Sequence, residues 1–228
     1  MKQKKSGMAL STSGSRLLLT ALFVSLCTFS IDVHASGAKL PEIKENVTEN
    51  LAENTTTEIT TKLPTTLLDN TNDSYSHLDP DHEVPNDLLN KALAYYDQNL
   101  AKIKNKEVLA IIDFKQHNSK ERFYIIDMVS GKVDKYLVAH GKNSDPDFDG
   151  YATQFSNTPD SEMSSQGFYL TAETYEGSHG HSLALDGLSS TNSNARARAI
   201  VIHPADYVYP GSKIGRSWGC PALEPRFS

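Results

Sequence analysis

Phe123-Tyr124-Ile125-Ile126-Asp127-Met128-Val129, then Ser130-Gly131, then Val133-Asp134-Lys135-Tyr136-Leu137-Val138-Ala139 follow one another near the middle of the chain. β-Branched and aromatic residues fill both runs. A two-residue linker with Gly between such runs signals a β-hairpin. Shorter runs of the same kind lie on either side: Val108–Ile112, Gly167–Thr171, Ser182–Leu185 and Ala199–Ile202. Each is too short for a helix and rich in residues that suit a pleated sheet. The region is therefore mainly β.

One segment breaks that pattern. From Pro85 to Lys104, apolar residues recur three and four apart at Leu88, Leu89, Ala92, Leu93, Tyr96, Leu100 and Ile103. The spacing predicts an amphipathic helix, and Pro85 suits its first turn. Gly141 to Gln166 holds Gly, Asn, Asp, Ser and Pro throughout and reads as a long ordered loop, a kind of segment that often carries function.

The first 84 residues are different material. Lys2, Lys4, Lys5 and Arg16 precede an apolar stretch from Leu17 to Ile31, and Val33-His34-Ala35 offers small residues for cleavage. Residues 1–35 read as an export signal, with an uncleaved anchor as the alternative. A lipoprotein reading of Cys27 is disfavoured by the bulk of Leu26. Residues 36–84 are rich in Thr, Asn and Glu, with 10 Asp/Glu against 3 Lys. Such a segment buries too little apolar surface to offset ordering entropy and reads as an acidic spacer. Residues 85–228 hold 15 Lys/Arg and 17 Asp/Glu, without a basic stripe. That balance excludes an electrostatic nucleic-acid binder. This part is long enough for one domain with its own core. After signal removal, no stretch is long and apolar enough to span a membrane.

Removal of residues 1–35 would leave Cys220 as the single cysteine. Exported proteins use cysteines in pairs, so an unpaired one is accidental or reactive. Cys220 lies in Gly215-Arg216-Ser217-Trp218-Gly219-Cys220-Pro221, which reads as a turn, and the run Ala199–Ile202 delivers His203. A thiol attacks as thiolate, and a nearby imidazole is a common means of making one. The bland alternative is a buried Cys acting as a small hydrophobe.

These residues resemble a known signature. Val201-Ile202-His203, followed by Ser217-Trp218-Gly219-Cys220-Pro221, is similar to the active-site motif of the L,D-transpeptidase (YkuD-type) family, in a branch with Trp before Gly-Cys. The likeness runs upstream through Asp113-Phe114, Ile126-Asp127, Ser130-Gly131-Lys132, Val138-Ala139-His140-Gly141, Phe155-Ser156-Asn157-Thr158-Pro159, Gly167-Phe168, Glu173-Thr174-Tyr175 and Leu185-Asp186-Gly187-Leu188, covering roughly residues 88–225. The resemblance implies a β-sandwich-like catalytic domain acting on peptidoglycan stem peptides in the periplasm or cell wall, without a cofactor or a metal. It implies Cys220 as nucleophile, His203 as base, the N–H of Cys220, with that of Gly219, as oxyanion donors, and Ser217 as shaper of the turn.

Trp218, Arg216, His140 and His179 are the candidates for lining the substrate cleft. Arg196 and Arg198 are either carboxylate receptors or solvated turn residues. Three departures stand out. Pro204 replaces the Gly that many relatives carry after the His, which removes an N–H. Ala222 replaces an Arg common in the wider family. The sequence ends eight residues after Cys220, where relatives continue with a helix and a strand. That predicts an unpaired sheet edge and raises the reading of a truncated form, or of a non-catalytic wall-binding protein. A zinc peptidase using His179, Asp186 and His203 is a weaker rival, since His-x-His spacing alone is a poor metal signal.

Overall fold

The computed structural model describes residues 22–26, 74–211 and 213–227; the rest of the expected signal and spacer lie outside the described residues. Among the described residues nine strands and one α-helix make up the architecture: β1 (Leu22–Leu26), α1 (Asn86–Asn99), β2 (Val108–Asp113), β3 (Phe123–Asp127), β4 (Val133–Tyr136), β5 (Val138–Ala139), β6 (Gly167–Gly177), β7 (Gly180–Gly187), β8 (Val201–Pro204) and β9 (Ala222–Leu223). Lys142–Ser144 and Pro225–Phe227 form short 3-10 turns. The fold is mainly β, as expected.

The hairpin is present, but its loop is longer than the linker implies. Ile126 pairs with Val133, and Asp127 N–H donates to Lys132 O at 2.9 Å. The turn is therefore Met128 to Gly131. Asp127 builds it, because its Oδ1 accepts from the N–H groups of Val129 (2.9 Å) and Ser130 (2.8 Å). Such an Asx arrangement competes with the ladder and stops it early. Gly131 takes φ 79° there.

The run expected as one strand, Val133–Ala139, divides at Leu137. β4 pairs with β3, whereas β5 pairs with β9 at the other end of the strand order, β4-β3-β2-β1-β6-β7-β8-β9-β5. β8 joins the two regions. Its Val201 and Ile202 pair with β7, while His203 and Pro204 pair in parallel with Ala222 and Leu223 of β9. His203 thus lies where the strand changes partner.

Burial explains the crossover. Val138 and Leu223 contribute to one apolar cluster, with Ile112, Phe123, Tyr169, Leu185 and Ile200. Their neighbours Leu137, Ala139 and Ala222 contribute to another, with Val208 and Ile214. Alternate side chains of β5 and β9 face opposite sides, so these short strands sit between two apolar layers. Leu109, Ile111 and Ile112 are fully buried along β2. Each such side chain is worth about 1.5–3 kcal/mol of burial.

Helix α1 ends at Asn99 rather than Lys104. Asn99 Nδ2 donates to Tyr95 O at 2.9 Å and closes the last turn. Leu88, Ala92, Leu93 and Tyr96 are its buried stripe. Tyr95 stacks on Phe168 of β6 with centroids 3.6 Å apart, which anchors the helix to the sheet.

The N-terminal segment brings the largest difference. Leu22–Leu26, within the stretch read as an export signal, pairs in parallel with β2 and antiparallel with β6. Strand β1 and cleavage after Ala35 are alternatives for a single molecule. The sequence pattern anticipates neither the strand nor its place, since the same apolar run satisfies both readings.

Candidate active site

Two segments converge on the site. β8 carries His203, and the turn Ser217–Cys220 leads into β9. His203 N–H donates to Pro221 O at 3.4 Å, which ties the strand to the residue after the cysteine. The Cys220 sulfur lies against the start of β8: Val201 N–H donates to Sγ at 3.5 Å, and Sγ reaches Ala199 O at 3.6 Å. Ala199 takes φ 52°. The strand therefore begins at Val201, two residues later than its apolar run suggests.

Ser217 organises the turn. Its N–H donates to His140 O and its carbonyl accepts from Lys142 N–H, both at 2.8 Å. Its hydroxyl donates to Cys220 O at 2.6 Å and accepts from Gly219 N–H at 3.1 Å. The Gly219 N–H, expected as a second oxyanion donor, is thus committed inside the turn. No acceptor among the described hydrogen bonds takes the Cys220 N–H. Ser164 adds a clamp that sequence reasoning missed: its Oγ donates to Gly219 O at 3.2 Å and accepts from Gly141 N–H at 3.0 Å.

Gly219 has φ 123°, and a Cβ there would lie 2.8 Å from Met163 O. Only Gly fits. Gly219→Ala is expected to cost about 2 kcal/mol, as a strained backbone position does, read as a lower melting temperature. An unchanged melt would mean that the turn relaxes freely.

His203 is 5% exposed, and its Nδ1 contacts Pro204 O at 2.9 Å. With Nδ1–H donated to that carbonyl, Nε2 keeps a lone pair and is the basic atom. Pro204 lacks the N–H that Gly would offer, yet it supplies the carbonyl that sets the tautomer. Burial pushes the imidazole below its ordinary range, and the nearby His179 adds to this, against the pull of the Pro204 carbonyl. Burial pushes the Cys220 thiol up, opposed by the Val201 N–H and the Arg198 charge. The resting pair is therefore thiol and neutral imidazole.

His140 is not a cleft residue. It is fully buried. Arg122 Nη2 donates to its Nδ1 at 2.8 Å, so its Nε2–H faces Asp145 Oδ2 at 3.3 Å. Its role is to hold the strand that anchors Ser217. Burial, then the Arg122 charge, pushes its pKa down to about 4. Asp145 sits below the ordinary carboxylate range: burial raises it, but the N–H groups of Gly150 and Asp149 and the His140 ring outweigh that. Arg122 and Asp145 carry no sequence motif that would have marked them.

Acid sensitivity follows. An unfolded His titrates near 6.5, so between 6.5 and about 4 the unfolded chain holds the extra proton. Stability present above pH 6.5 drains as the pH falls towards 4. At about 1.4 kcal/mol for each pH unit of separation, the loss is about 3 kcal/mol. His203 acts in the same direction. Thermal melts between pH 7 and pH 4 check this; a flat melting temperature would overturn it.

Arg216 is tied to the loop. Its Nη1 donates to Lys142 O at 3.1 Å and to Asp145 O, and its guanidinium lies 4.1 Å from the Phe148 ring centroid. These contacts tie to the loop a side chain that the sequence offered as a candidate for lining the cleft. His179 is exposed and its ring lies 4.7 Å from that of His203. Trp218 is 76% exposed on the cysteine turn, with Lys142 Nζ 5.6 Å from its ring, so it lies outside the core. Arg196 pairs with Asp186 at 2.7 Å and with Glu173. That pairing removes Asp186 from a zinc site with His179 and His203. Among the described residues no group of three His, Cys, Asp or Glu side chains is arranged to hold a metal ion.

The mainly β fold sets the cysteine turn against the strand that carries His203. The YkuD-type family model for the L,D-transpeptidase catalytic domain matches residues 80–228, and the chain belongs to that family. No curated protein and no solved structure matches the chain. The family points to L,D-transpeptidase-type activity on peptidoglycan. No helix among the described residues is long and apolar enough to cross a membrane.

Proposed function

We propose that the protein is a cysteine acyltransferase acting on peptidoglycan stem peptides, with Cys220 as nucleophile and His203 as general base. The observation that carries this reading is the seat of Sγ on the β8 backbone at Val201, two residues before His203 on the same strand. His203 Nε2 removes the thiol proton as sulfur attacks the carbonyl that precedes the terminal D-Ala of a donor stem. The Cys220 N–H donates to the developing oxyanion. The C–N bond breaks, the imidazolium returns its proton to the leaving amine, and a thioester remains. The amine of a second stem then displaces the sulfur to form a 3→3 cross-link; water in its place gives carboxypeptidation. The exposed Trp218 supports a wall for the substrate beside the nucleophile.

Export to the periplasm or cell wall accords with such a substrate and with the composition of residues 1–35. A second reading, a non-catalytic wall-binding protein, draws on the burial that keeps Cys220 a thiol. Intact-mass spectrometry after exposure to meropenem distinguishes the two. One covalent adduct supports the enzyme; retained binding to sacculi without an adduct supports the binder. The same spectrum reports whether residues 1–35 are removed.

A further inference from the structure

Arg196 and Arg198 look equivalent in the sequence, and the structure separates them. Arg196 is exposed and neutralised by Asp186 and Glu173. Arg198 is half-buried, and its guanidinium bridges the long loop: Nη1 donates to Ser156 O at 2.7 Å, and Nη2 donates to Met163 O at 2.6 Å and Ser161 Oγ at 3.2 Å. None of these acceptors is a carboxylate. A Cβ on Gly219 would lie 3.2 Å from Nη2, so the cation is packed against the residue before Cys220.

A partly buried cation without a counter-ion is costly unless an anion forms beside it. The groups that bear on the Arg198 charge are Tyr169 and Cys220. Around Cys220 stand the Val201 N–H, the Ala199 carbonyl, Arg198, the phenols of Tyr169 and Tyr207, and His203 on β8 with His179 against it. Burial raises the Tyr169 phenol and pushes Tyr207 up to about 12, so both are neutral near pH 7. Of these groups, Arg198 is the one with a fixed charge.

We propose that Arg198 is a positioning residue for the reaction, holding the loop against Gly219 and serving as counter-cation to the Cys220 thiolate once His203 has taken its proton. This rests on the acyltransferase reading above. It also explains how a sulfur placed in apolar surroundings ionises during attack.

The test is the pH profile of iodoacetamide alkylation, followed on the Cys220 peptide of the full chain by mass spectrometry. Arg198→Gln is expected to move the midpoint up by about one pH unit, the lower end of the effect of a close opposite charge. Alkylation at pH 7 then falls about tenfold, in proportion to the thiolate present. Arg198→Lys keeps the charge but loses the fork that meets three acceptors, so its midpoint rises by less. An unmoved Arg198→Gln midpoint overturns the proposal, including the case where rates fall equally at every pH, which a merely structural role predicts. If Arg198→Gln does not fold, Arg198→Lys decides, and a profile identical to wild type overturns the assignment. Because alkylation needs no transpeptidase substrate, a failed meropenem adduct would remove the enzymatic reading while leaving the role of Arg198 separately tested.

Discussion

Cys220→Ala is expected to abolish covalent acylation by meropenem, with the intact mass of the treated variant equal to that of the untreated one. The substitution removes the thiol, and the other nucleophilic atom of the turn, Ser217 Oγ, is committed to Cys220 O and the Gly219 N–H. It leaves the turn in place, because the bond from Ser217 Oγ goes to the Cys220 carbonyl and the clamp from Ser164 goes to the Gly219 carbonyl. The lost sulfur contacts involve backbone groups of Val201 and Ala199, so folding is expected to survive. A native melt with no adduct is therefore the result that counts. A variant acylated at the wild-type rate would show that another group attacks, and the assignment of Cys220 would fall.

His203→Ala is expected to slow acylation by at least ~10²-fold, the usual worth of a placed general base. The magnitude follows from the resting state. Burial holds Cys220 as a thiol and His203 as a neutral imidazole. Sulfur thus carries a proton that must leave during attack, and Nε2 is the basic atom left available by the Nδ1 contact to Pro204 O. Had the pair rested as thiolate and imidazolium, loss of the ring would act mainly through the thiolate population. The acid limb of the pH–rate profile is expected below 6.5, because the imidazole is pushed down from that value. Stopped-flow or mass-resolved acylation across pH 5–8 measures both. Unchanged kinetics would remove His203 from the mechanism.

Much of the site was legible because turns and strand ends leave local marks. Gly219 before Cys220 marks a backbone that no side chain fits, and Val201-Ile202-His203 marks a strand delivering an imidazole. The same logic misled at His140. Its place at the end of an apolar run, followed by Gly141, looks like a cleft residue, but Arg122 and Asp145 arrive from separate loops and enclose it. Arg216 misled likewise: adjacency to the cysteine suggested substrate, whereas the carbonyls of Lys142 and Asp145 claim it.

Residue order alone settled the β character, the leading helix, and the turn that presents a thiol after a histidine strand. All three depend on hydrophobic period and local backbone preference, which act within a few residues. Three-dimensional packing decided the rest: the parting of Val133–Ala139 between distant strands, the entry of Leu22–Leu26 between β2 and β6, the burial of His140, and the unequal fates of Arg196 and Arg198. Each of these is set by partners far away in the chain. Burial and charge compensation are properties of neighbours in space, and no local pattern encodes them.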